Sequence, residues 1–285
     1  MKTIILTFFL YLSYAGYNNA SVQIQYTKND SLMVINLLHK AQTLKKKQNV
    51  FLFFAREFKG TPYVAQTLEH NNQEKLVINL REVDCTTFVE HILALSLCHR
   101  YNKRTFAAYC DYLRHIRYID GHVSYSMRKH YFTIWIDNNQ KSGIVKEVQA
   151  PTPPFSRTQT IALSYMTENA NKYPMLVKHR DWINDIAKLE KKYNGRKYLY
   201  IPKNIIANTH LFRNTIHNGD ILAIVTNKKG LDTTHIGIAV WHKDGLHLLD
   251  ASSIKRKVVE EVTTLKNYMQ KHPSQIGIRV IRVLI

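Results

Sequence analysis

Apolar positions along this chain follow a helical period in its first two thirds and a strand period towards its end. Helical spacing predicts helices in five segments: Ser31 to Asn49, Val50 to Lys59, the run TTFVEHILALSL after Asp84-Cys85, Thr105 to Tyr118, and Arg157 to Tyr193. Asp84 is a favoured N-cap residue, so the third helix is expected to begin at Cys85. Asn194-Gly195 is a typical stop signal for the last of these helices.

From Gly219 onward, short apolar runs separated by turn-forming residues predict β-strands. The strands are expected over four segments: Asp220 to Thr226, His235 to Trp241, Leu246 to Ala251, and Gly277 to Leu284. The turn Lys243-Asp244-Gly245 joins the second and third of them as a hairpin. Helices first and an antiparallel sheet afterwards predict one α+β domain, with N-terminal helices packed on one side of a C-terminal sheet.

The composition of the 285 residues is that of a folded globular protein. Hydrophobic residues make up 45% of the chain and charged residues 21%, with only 10 Gly and 7 Pro, which excludes disordered and collagen-like classes. The formal net charge of +19 favours an anionic partner: nucleic acid, an envelope polymer or a membrane surface. Nucleic acid is not expected, because the sequence has no zinc-finger spacing, aromatic RNA-binding signature or concentrated basic tail.

The first residues have the three parts of a secretory signal peptide. Lys2 supplies a positive start, Ile4 to Leu12 an apolar run, and Ser13-Tyr14-Ala15 a cleavage signal of small residues. Cleavage is expected after Ala15, with Ala20 as the second choice and a buried N-terminal helix as the alternative to a signal peptide. No apolar run reaches the roughly 20 residues that a transmembrane helix needs. The mature chain, residues 16–285, is therefore expected to be periplasmic or secreted, without a transmembrane segment.

The three cysteines, Cys85, Cys98 and Cys110, leave at least one thiol unpaired within the chain. Cys98 and Cys110 lie on apolar helical stretches, which is typical of small buried side chains. A disulfide between them is the alternative interpretation. Cys85 lies at a predicted helix N-terminus, where the helix dipole favours the reactive thiolate form of a cysteine. His235 follows after 235 − 85 = 150 residues, comparable with the roughly 130 to 150 between nucleophile and histidine in papain-like enzymes. Because the chain has 14 histidines, one of them is expected at such a distance by chance. A structural cysteine and a strand-edge histidine are therefore the alternative.

Five ordered stretches resemble the NlpC-type papain-like cysteine peptidases that cut bacterial cell wall. They are Gly60 to Tyr63, Asp84 to Val89, Gly219-Asp220, His235 to Ile238, and Ala251-Ser252. A finer resemblance is to the N-acetylmuramoyl-L-alanine amidase-like subfamily. It depends on five motifs: VDCTTFVEHILAL, RYIDG, the Ser-x-x-x-His-Tyr-x-x-x-Trp stretch from Ser126 to Trp135, YIPK, and GLDTTHIGIAV. The resemblance runs from about Gly60 to the C-terminus and implies a papain-like fold.

The resemblance implies a catalytic triad and an oxyanion site. It makes Cys85 the nucleophile and His235 the general base, with peptide N–H groups at the start of the Cys85 helix holding the oxyanion. Tyr63 lines the site. The family commonly has a histidine just before Ala-Ser, and this position is Asp250 here, which orients an imidazole equally well. His247 is the rival third residue, but strand alternation places it on the opposite face from Asp250, which we favour.

Seven residues are expected to bind substrate. They are Tyr63, Asp84, Arg128, His130, Tyr131, Trp135 and Asp232. The three aromatic side chains of the HYxxxW stretch are implied contacts to sugar or peptide, with an aromatic core and one surface histidine as the alternative. The arginine falls where the related pattern usually has one. The two aspartates flank the catalytic residues, and each is suited either to bind a substrate amine or to act as a helix cap or turn residue.

The subfamily resemblance implies an amidase that cuts between the lactyl group of N-acetylmuramic acid and L-alanine, on small anhydro-muropeptide fragments of peptidoglycan. Two alternatives stay open: an endopeptidase that cuts between D-glutamate and the diamino acid of the stem peptide, and a non-catalytic wall-binding protein. The intact Cys85 and His235 disfavour the binding protein, and HYxxxW and GLDTTHIG favour the amidase. No metal or other cofactor is expected, because the sequence has no His-Glu-x-x-His helix and no Cys-x-x-Cys pair. The sequence does not indicate an oligomeric state.

Overall fold

A computed structural model describes residues 22–45 and 47–285 of the chain. The expected signal peptide, residues 1–15, and its cleavage after Ala15 lie outside the described residues. None of the helices in these two ranges is long and apolar enough to cross a membrane.

Helices occupy most of the first half of the described chain and recur in short pieces afterwards. They are α1 (Lys28–Lys40), α2 (Val50–Glu57), α3 (Cys85–Arg100), α4 (Phe106–Arg117), α5 (Phe132–Lys141), α6 (Tyr165–Glu168), α7 (Pro174–Lys178), α8 (Trp182–Tyr193), α9 (His210–Thr215) and α10 (Leu265–Gln270). Short 3-10 turns cover Ala41–Thr43, Ile119–Gly121, Tyr125–Met127, Ala170–Lys172 and Lys203–Ile205. α1 begins before the predicted Ser31 because Thr27 caps it, accepting a hydrogen bond from the N–H of Asp30.

The strands form a small parallel pair and one large antiparallel sheet. They are β1 (Ile24–Gln25), β2 (Leu76–Val77), β3 (Val145–Val148), β4 (Arg157–Thr160), β5 (Lys197–Pro202), β6 (Ile221–Thr226), β7 (Thr233–Trp241), β8 (Leu246–Ser252), β9 (Lys257–Glu260) and β10 (Gln275–Val283). β1 pairs with β2, and the large sheet has the order β4-β5-β10-β6-β7-β8-β9, with β3 also paired to β10. In the β7–β8 hairpin, Val240 lies opposite His247 and Ile238 opposite Leu249. The predicted combination of helices with a large antiparallel sheet is confirmed.

The hydrophobic core covers both faces of this sheet. On one face, α1 to α5 pack against residues such as Ala223 and Ile238. On the other face, α9 and α10 cover residues that include Leu222 and Ala239. The prediction of helices on one side only is wrong, because every position of β6 is buried and neither face of the central strands is polar enough to meet water.

The long helix predicted from Arg157 to Tyr193 is also wrong. Its first residues form β4, which pairs with β5 and buries only Gln159. The short helices α6 and α7 follow, and only α8 matches the helical spacing. Pro174 begins α7, as expected of a residue without a backbone N–H. Pairing with the sheet edge therefore outweighs the local helical pattern in this segment.

Candidate active site

Cys85 is the first residue of α3, and the residue before it fixes the start of the helix. The Asp84 carboxylate accepts hydrogen bonds from the N–H groups of Thr86 at 3.0 Å and Thr87 at 2.8 Å. The Thr87 hydroxyl accepts one from the Asp84 N–H at 2.9 Å, which completes a capping box. The structure thus uses Asp84 as the helix cap. The Cys85 thiol is free and partly exposed, and the Cys85 N–H makes no hydrogen bond to any residue in the described ranges.

His235 and Asp250 approach this thiol from the neighbouring strands β7 and β8. His235 donates from Nε2 to Asp250 Oδ2 at 2.6 Å, and Cys85 lies close enough to raise the pKa of the ring. The Asp250 side chain is fully buried, and that of His235 is 11% exposed. Gly237 permits this approach of the strands, because a Cβ there would lie 2.9 Å from the Asp250 Cβ and 2.7 Å from the Leu248 side chain.

The charges of the three groups support one another. Burial by itself lowers the pKa of His235, but its hydrogen bonds to Asp250 and Cys85, together with their charges, outweigh burial and hold that pKa well above the usual 6.5. His235 is therefore a cation at neutral pH. An imidazolium between a carboxylate and a thiol is the pairing that activates cysteine nucleophiles.

His247 lies on the other face of β8. Its Nδ1 donates to the Glu261 carbonyl at 2.8 Å, and its Nε2 lies 3.0 Å from Asp244 Oδ1. The alternation of side chains along the strand therefore brings Asp250, and not His247, to His235.

Tyr63 lies next to the nucleophile. It forms an isolated parallel bridge with Val83, and its N–H donates to the Arg256 carbonyl at 3.0 Å. Burial raises the pKa of its hydroxyl, and the charges of Cys85 and Asp84 raise it further. The hydroxyl therefore stays protonated at neutral pH and is a neutral hydrogen-bond donor beside the thiol.

A cavity of about 170 Å³, called the catalytic cavity below, opens at Cys85. One wall consists of residues 129–132 and the opposite wall of residues 231–236, so His235 belongs to the second wall. A second cavity of about 170 Å³, which we call the side recess, continues from the first, and both are bordered by Thr86, Lys129, His130 and Tyr173. A substrate bound at Cys85 therefore has the space of the first cavity and, next to it, that of the side recess.

Arg128 borders the side recess, but its guanidinium is bound by the protein itself. It forms ion pairs with Glu69 and, at 3.6 Å, with Glu74. It also donates to the Leu68 carbonyl at 3.3 Å and lies 4.8 Å from the centre of the Tyr125 ring. These contacts give Arg128 a structural role in holding the recess wall, and its expected contact with substrate stays a prediction.

Two of the three aromatic residues of the HYxxxW stretch are also held internally. The Tyr131 hydroxyl donates to Glu190 Oε1 at 2.6 Å and accepts from the Met166 N–H at 2.9 Å, so only the ring of Tyr131 is left to the cavity. Trp135 is 0% exposed, and its ring stacks on Phe132 at 4.8 Å. The expectation of a substrate contact fails for Trp135, because α5 turns this side chain into the core.

Asp232 connects the two walls of the catalytic cavity. Its Oδ2 accepts from the Thr133 N–H at 2.6 Å, at the start of α5, and its Oδ1 accepts from the Thr233 N–H at 2.8 Å. Tyr131, the N-cap position of α5, makes no side-chain cap bond, so Asp232 serves as the cap from a distant part of the chain. Each carboxylate oxygen thus accepts one backbone hydrogen bond, and the expected contact with a substrate amine stays a prediction.

We expect Asp232→Asn to lower the free energy of unfolding by about 1–3 kcal/mol, because one of the two backbone N–H groups loses its acceptor and faces an amide NH₂. Urea unfolding measures this change. Asp185→Asn is the matched control: Asp185 pairs with Lys188 on the surface of α8, and such pairs contribute about 0–1 kcal/mol. Unchanged stability of Asp232→Asn, combined with a raised KM, would show instead that the carboxylate contacts substrate.

The sequence did not indicate Lys129 as a site residue. Its ammonium donates to the carbonyls of His115 at 2.8 Å and Ile116 at 3.0 Å, at the end of α4. Burial lowers its pKa to about 8, and Glu90 and Asp120 oppose that shift. Lysine often caps a helix C-terminus. Here Lys129 lies 13 positions after Ile116 in the sequence, too far for a local sequence pattern to indicate the contact.

Among the residues of the two described ranges, no group of three or more His, Cys, Asp or Glu side chains is arranged to hold a metal ion.

Comparisons with known proteins identify the family of this chain. A family model described as AmiA-like, N-acetylmuramoyl-L-alanine amidase-like, matches residues 53–278. The solved structure of an N-acetylmuramoyl-L-alanine amidase from Bacteroides uniformis ATCC 8492 is 35% identical, with a TM-score of 0.76 over 82% of this chain and 97% of that one. A putative xylanase from Bacteroides fragilis is 40% identical, with a TM-score of 0.75 over 81% and 100% of the two chains.

A protein from Legionella pneumophila str. Philadelphia 1 shares the fold at 22% identity, with a TM-score of 0.71 over 90% and 95% of the two chains. No curated protein matches the chain. Because the family model spans most of its length, this chain belongs to the AmiA-like, N-acetylmuramoyl-L-alanine amidase-like family.

Proposed function

We propose that this protein is a peptidoglycan hydrolase: a cysteine amidase that cuts between the lactyl group of N-acetylmuramic acid and L-alanine. The observation that carries the proposal is that His235, hydrogen-bonded to Asp250, lines the same cavity as the Cys85 thiol, which raises the pKa of the ring. Membership in the amidase-like family supports the substrate class. A nucleophile at a helix N-terminus, with its histidine and carboxylate on adjacent strands, supports the NlpC-type papain-like assignment.

The reaction would proceed through a thioester. The Cys85 thiolate attacks the lactyl carbonyl carbon, and the Cys85 N–H is suited to stabilise the oxyanion because Asp84 already occupies the next two donors of the helix. The His235 imidazolium gives its proton to the alanine nitrogen, the C–N bond breaks, and the free stem peptide leaves. His235 then takes a proton from water, which attacks the thioester and restores the thiol. Asp250 keeps the imidazole oriented and stabilises its cation in both steps.

The proposed substrates are small anhydro-muropeptide fragments. The cavity at Cys85 and the neighbouring side recess, of about 170 Å³ each, have room for short groups rather than for a long polymer. Export of the mature chain, as expected from residues 1–15, is part of the proposal, because cell-wall polymers lie outside the cytoplasm.

A xylan-cutting activity, which the name of the Bacteroides fragilis relative suggests, has less support. Glycoside hydrolases use two carboxyl groups roughly 5 to 9.5 Å apart. Among the described residues that border the catalytic cavity, Asp232 is the one with a carboxylate, and both of its oxygens accept backbone hydrogen bonds.

Mass spectrometry of a defined anhydro-muramoyl tripeptide, incubated with the mature chain, tests the proposal. We expect free tripeptide and anhydro-N-acetylmuramic acid, at a rate that EDTA does not change. Release of the diamino acid alone would identify the stem-peptide endopeptidase, and inhibition by EDTA would overturn the cysteine mechanism. A substrate that binds in calorimetry but stays intact would identify a wall-binding protein.

A further inference from the structure

His130 lies at the junction between the catalytic cavity and the side recess and borders both. Its Nε2 lies 2.7 Å from the Tyr125 carbonyl oxygen. Because a carbonyl oxygen only accepts hydrogen bonds, Nε2 carries the ring proton and donates it there. One nitrogen of the ring is therefore committed to the protein.

The other nitrogen, Nδ1, carries a lone pair. Burial and then the Arg128 charge lower the pKa of His130 well below the usual 6.5, so the ring stays neutral across the physiological range. Nδ1 forms no hydrogen bond with any residue of the described ranges, and it is not among their enclosed side-chain nitrogens without a partner. Nδ1 is therefore not enclosed by the protein and, on a residue that borders both cavities, is free to accept a hydrogen bond.

The ring is fixed in this orientation before any substrate binds. It packs against Tyr125 with ring centres 4.6 Å apart, and Tyr125 in turn stacks on Trp182 at 5.3 Å. The Arg128 guanidinium lies against the same tyrosine ring, and the His130 N–H donates to the Arg128 carbonyl at 2.9 Å. An acceptor held in place by its surroundings discriminates between ligands more strongly than a mobile one, because little entropy is lost on binding.

We propose that His130 Nδ1 determines specificity by accepting a hydrogen bond from an amide N–H of the substrate. The inference builds on the proposed amidase function. Two amide N–H groups flank the bond to be cut: that of the 2-acetamido group on the sugar, and that between L-alanine and D-glutamate in the peptide. A neutral ring with its lone pair towards the ligand selects such a donor and rejects a carboxylate in the same place, since two acceptors repel.

Two substrate analogues distinguish the sources of this N–H. In one, an acetoxy group replaces the acetamido group of the anhydro-muramoyl tripeptide. In the other, an ester oxygen replaces the N–H between L-alanine and D-glutamate. We expect the wild type to lose about 10-fold or more in kcat/KM on one of the two, because an oxygen lone pair then faces Nδ1.

Variants of His130 show whether this nitrogen causes the discrimination. His130→Phe removes the acceptor and is expected to process the parent compound and that analogue at equal kcat/KM. His130→Asn places an amide oxygen close to the position of Nδ1 and is expected to restore part of the discrimination. Thermal unfolding checks that both variants are folded, and a general packing defect would lower kcat/KM on every substrate alike.

Three results would oppose the inference. Equal kcat/KM of the wild type on the parent and both analogues would overturn it, and so would undiminished discrimination by His130→Phe. If the wild type does not cleave the parent compound, the proposed amidase function itself fails, and the inference fails with it. If the wild type cleaves the parent normally and only the discrimination is missing, the amidase function stands without this role for His130.

Discussion

We expect Cys85→Ser to reduce turnover of the anhydro-muramoyl tripeptide by at least about 10⁴-fold while the protein stays folded, since loss of a nucleophile removes the covalent step. A serine hydroxyl is much harder to ionise than a thiol, so at neutral pH the variant presents a protonated and weakly nucleophilic oxygen. The side chain is partly exposed at the start of α3, so this substitution creates no cavity in the core. Single-turnover kinetics with mass spectrometry of the enzyme would measure both the rate and the missing thioester.

Cys110→Ala is the matched control for this experiment. Cys110 and Cys98 are buried free thiols of α4 and α3, and burial raises the pKa of each to about 12. Neither is a nucleophile at neutral pH, and we expect iodoacetamide to label Cys85 alone and to inactivate the enzyme in proportion. Retained activity in Cys85→Ser, or equal loss in the Cys110 variant, would contradict the assignment of the nucleophile.

The parts of the site that the sequence predicts are those set by local rules. Asp84 and Cys85 are adjacent in the chain, so a capping preference was enough to place the thiol at a helix N-terminus. The family resemblance placed the third polar residue at Asp250, and the alternation of side chains along a strand put His247 on the opposite face. Whether these residues act in catalysis stays a prediction that the proposed experiments test.

The parts that the sequence did not predict depend on distant partners. Asp232 caps α5 across 99 residues, and Tyr131 bonds to Glu190 across 59. Arg128 pairs with Glu69, which lies 59 residues earlier in the chain. A motif shows that such a polar residue is present, but only the folded chain shows whether its hydrogen-bonding capacity is already used. For this reason the sequence did not show that Trp135 is buried in the core, or that Arg128 and Asp232 also hold the structure together.

The same distinction between local and distant interactions explains which elements of the fold the sequence predicted. Helices with regularly spaced apolar residues and a side-chain N-cap, such as α3 and α4, lie where local preference places them. β4 has four residues, and its extended form depends on hydrogen bonds to β5, which lies about 40 residues further along. Local spacing in a short charged segment does not contain that information.

Asp250→Ala is expected to lower kcat by about 10²–10³-fold and to move the alkaline limit of activity to lower pH. The hydrogen bond at 2.6 Å and the carboxylate charge of Asp250 help to hold the pKa of His235 well above 6.5, against the effect of burial. Without them burial dominates, the pKa of His235 falls, and the imidazolium that protonates the leaving nitrogen is lost at a lower pH. Asp250→Asn keeps an acceptor but not the charge, so its pH limit should lie between those of the wild type and the alanine variant.

His247→Asn is the control on the same strand. His247 contacts the Glu261 carbonyl and Asp244 on the face away from His235, so this change should leave the pH profile of kcat where it is in the wild type. The profiles of kcat and kcat/KM between about pH 5 and 10 measure the shift. A larger loss of kcat in His247→Asn than in Asp250→Ala would mean that the imidazole is oriented from the other face of β8. An unshifted alkaline limit in both Asp250 variants would mean that His235 does not supply the proton, because its protonation state is the one that Asp250 controls.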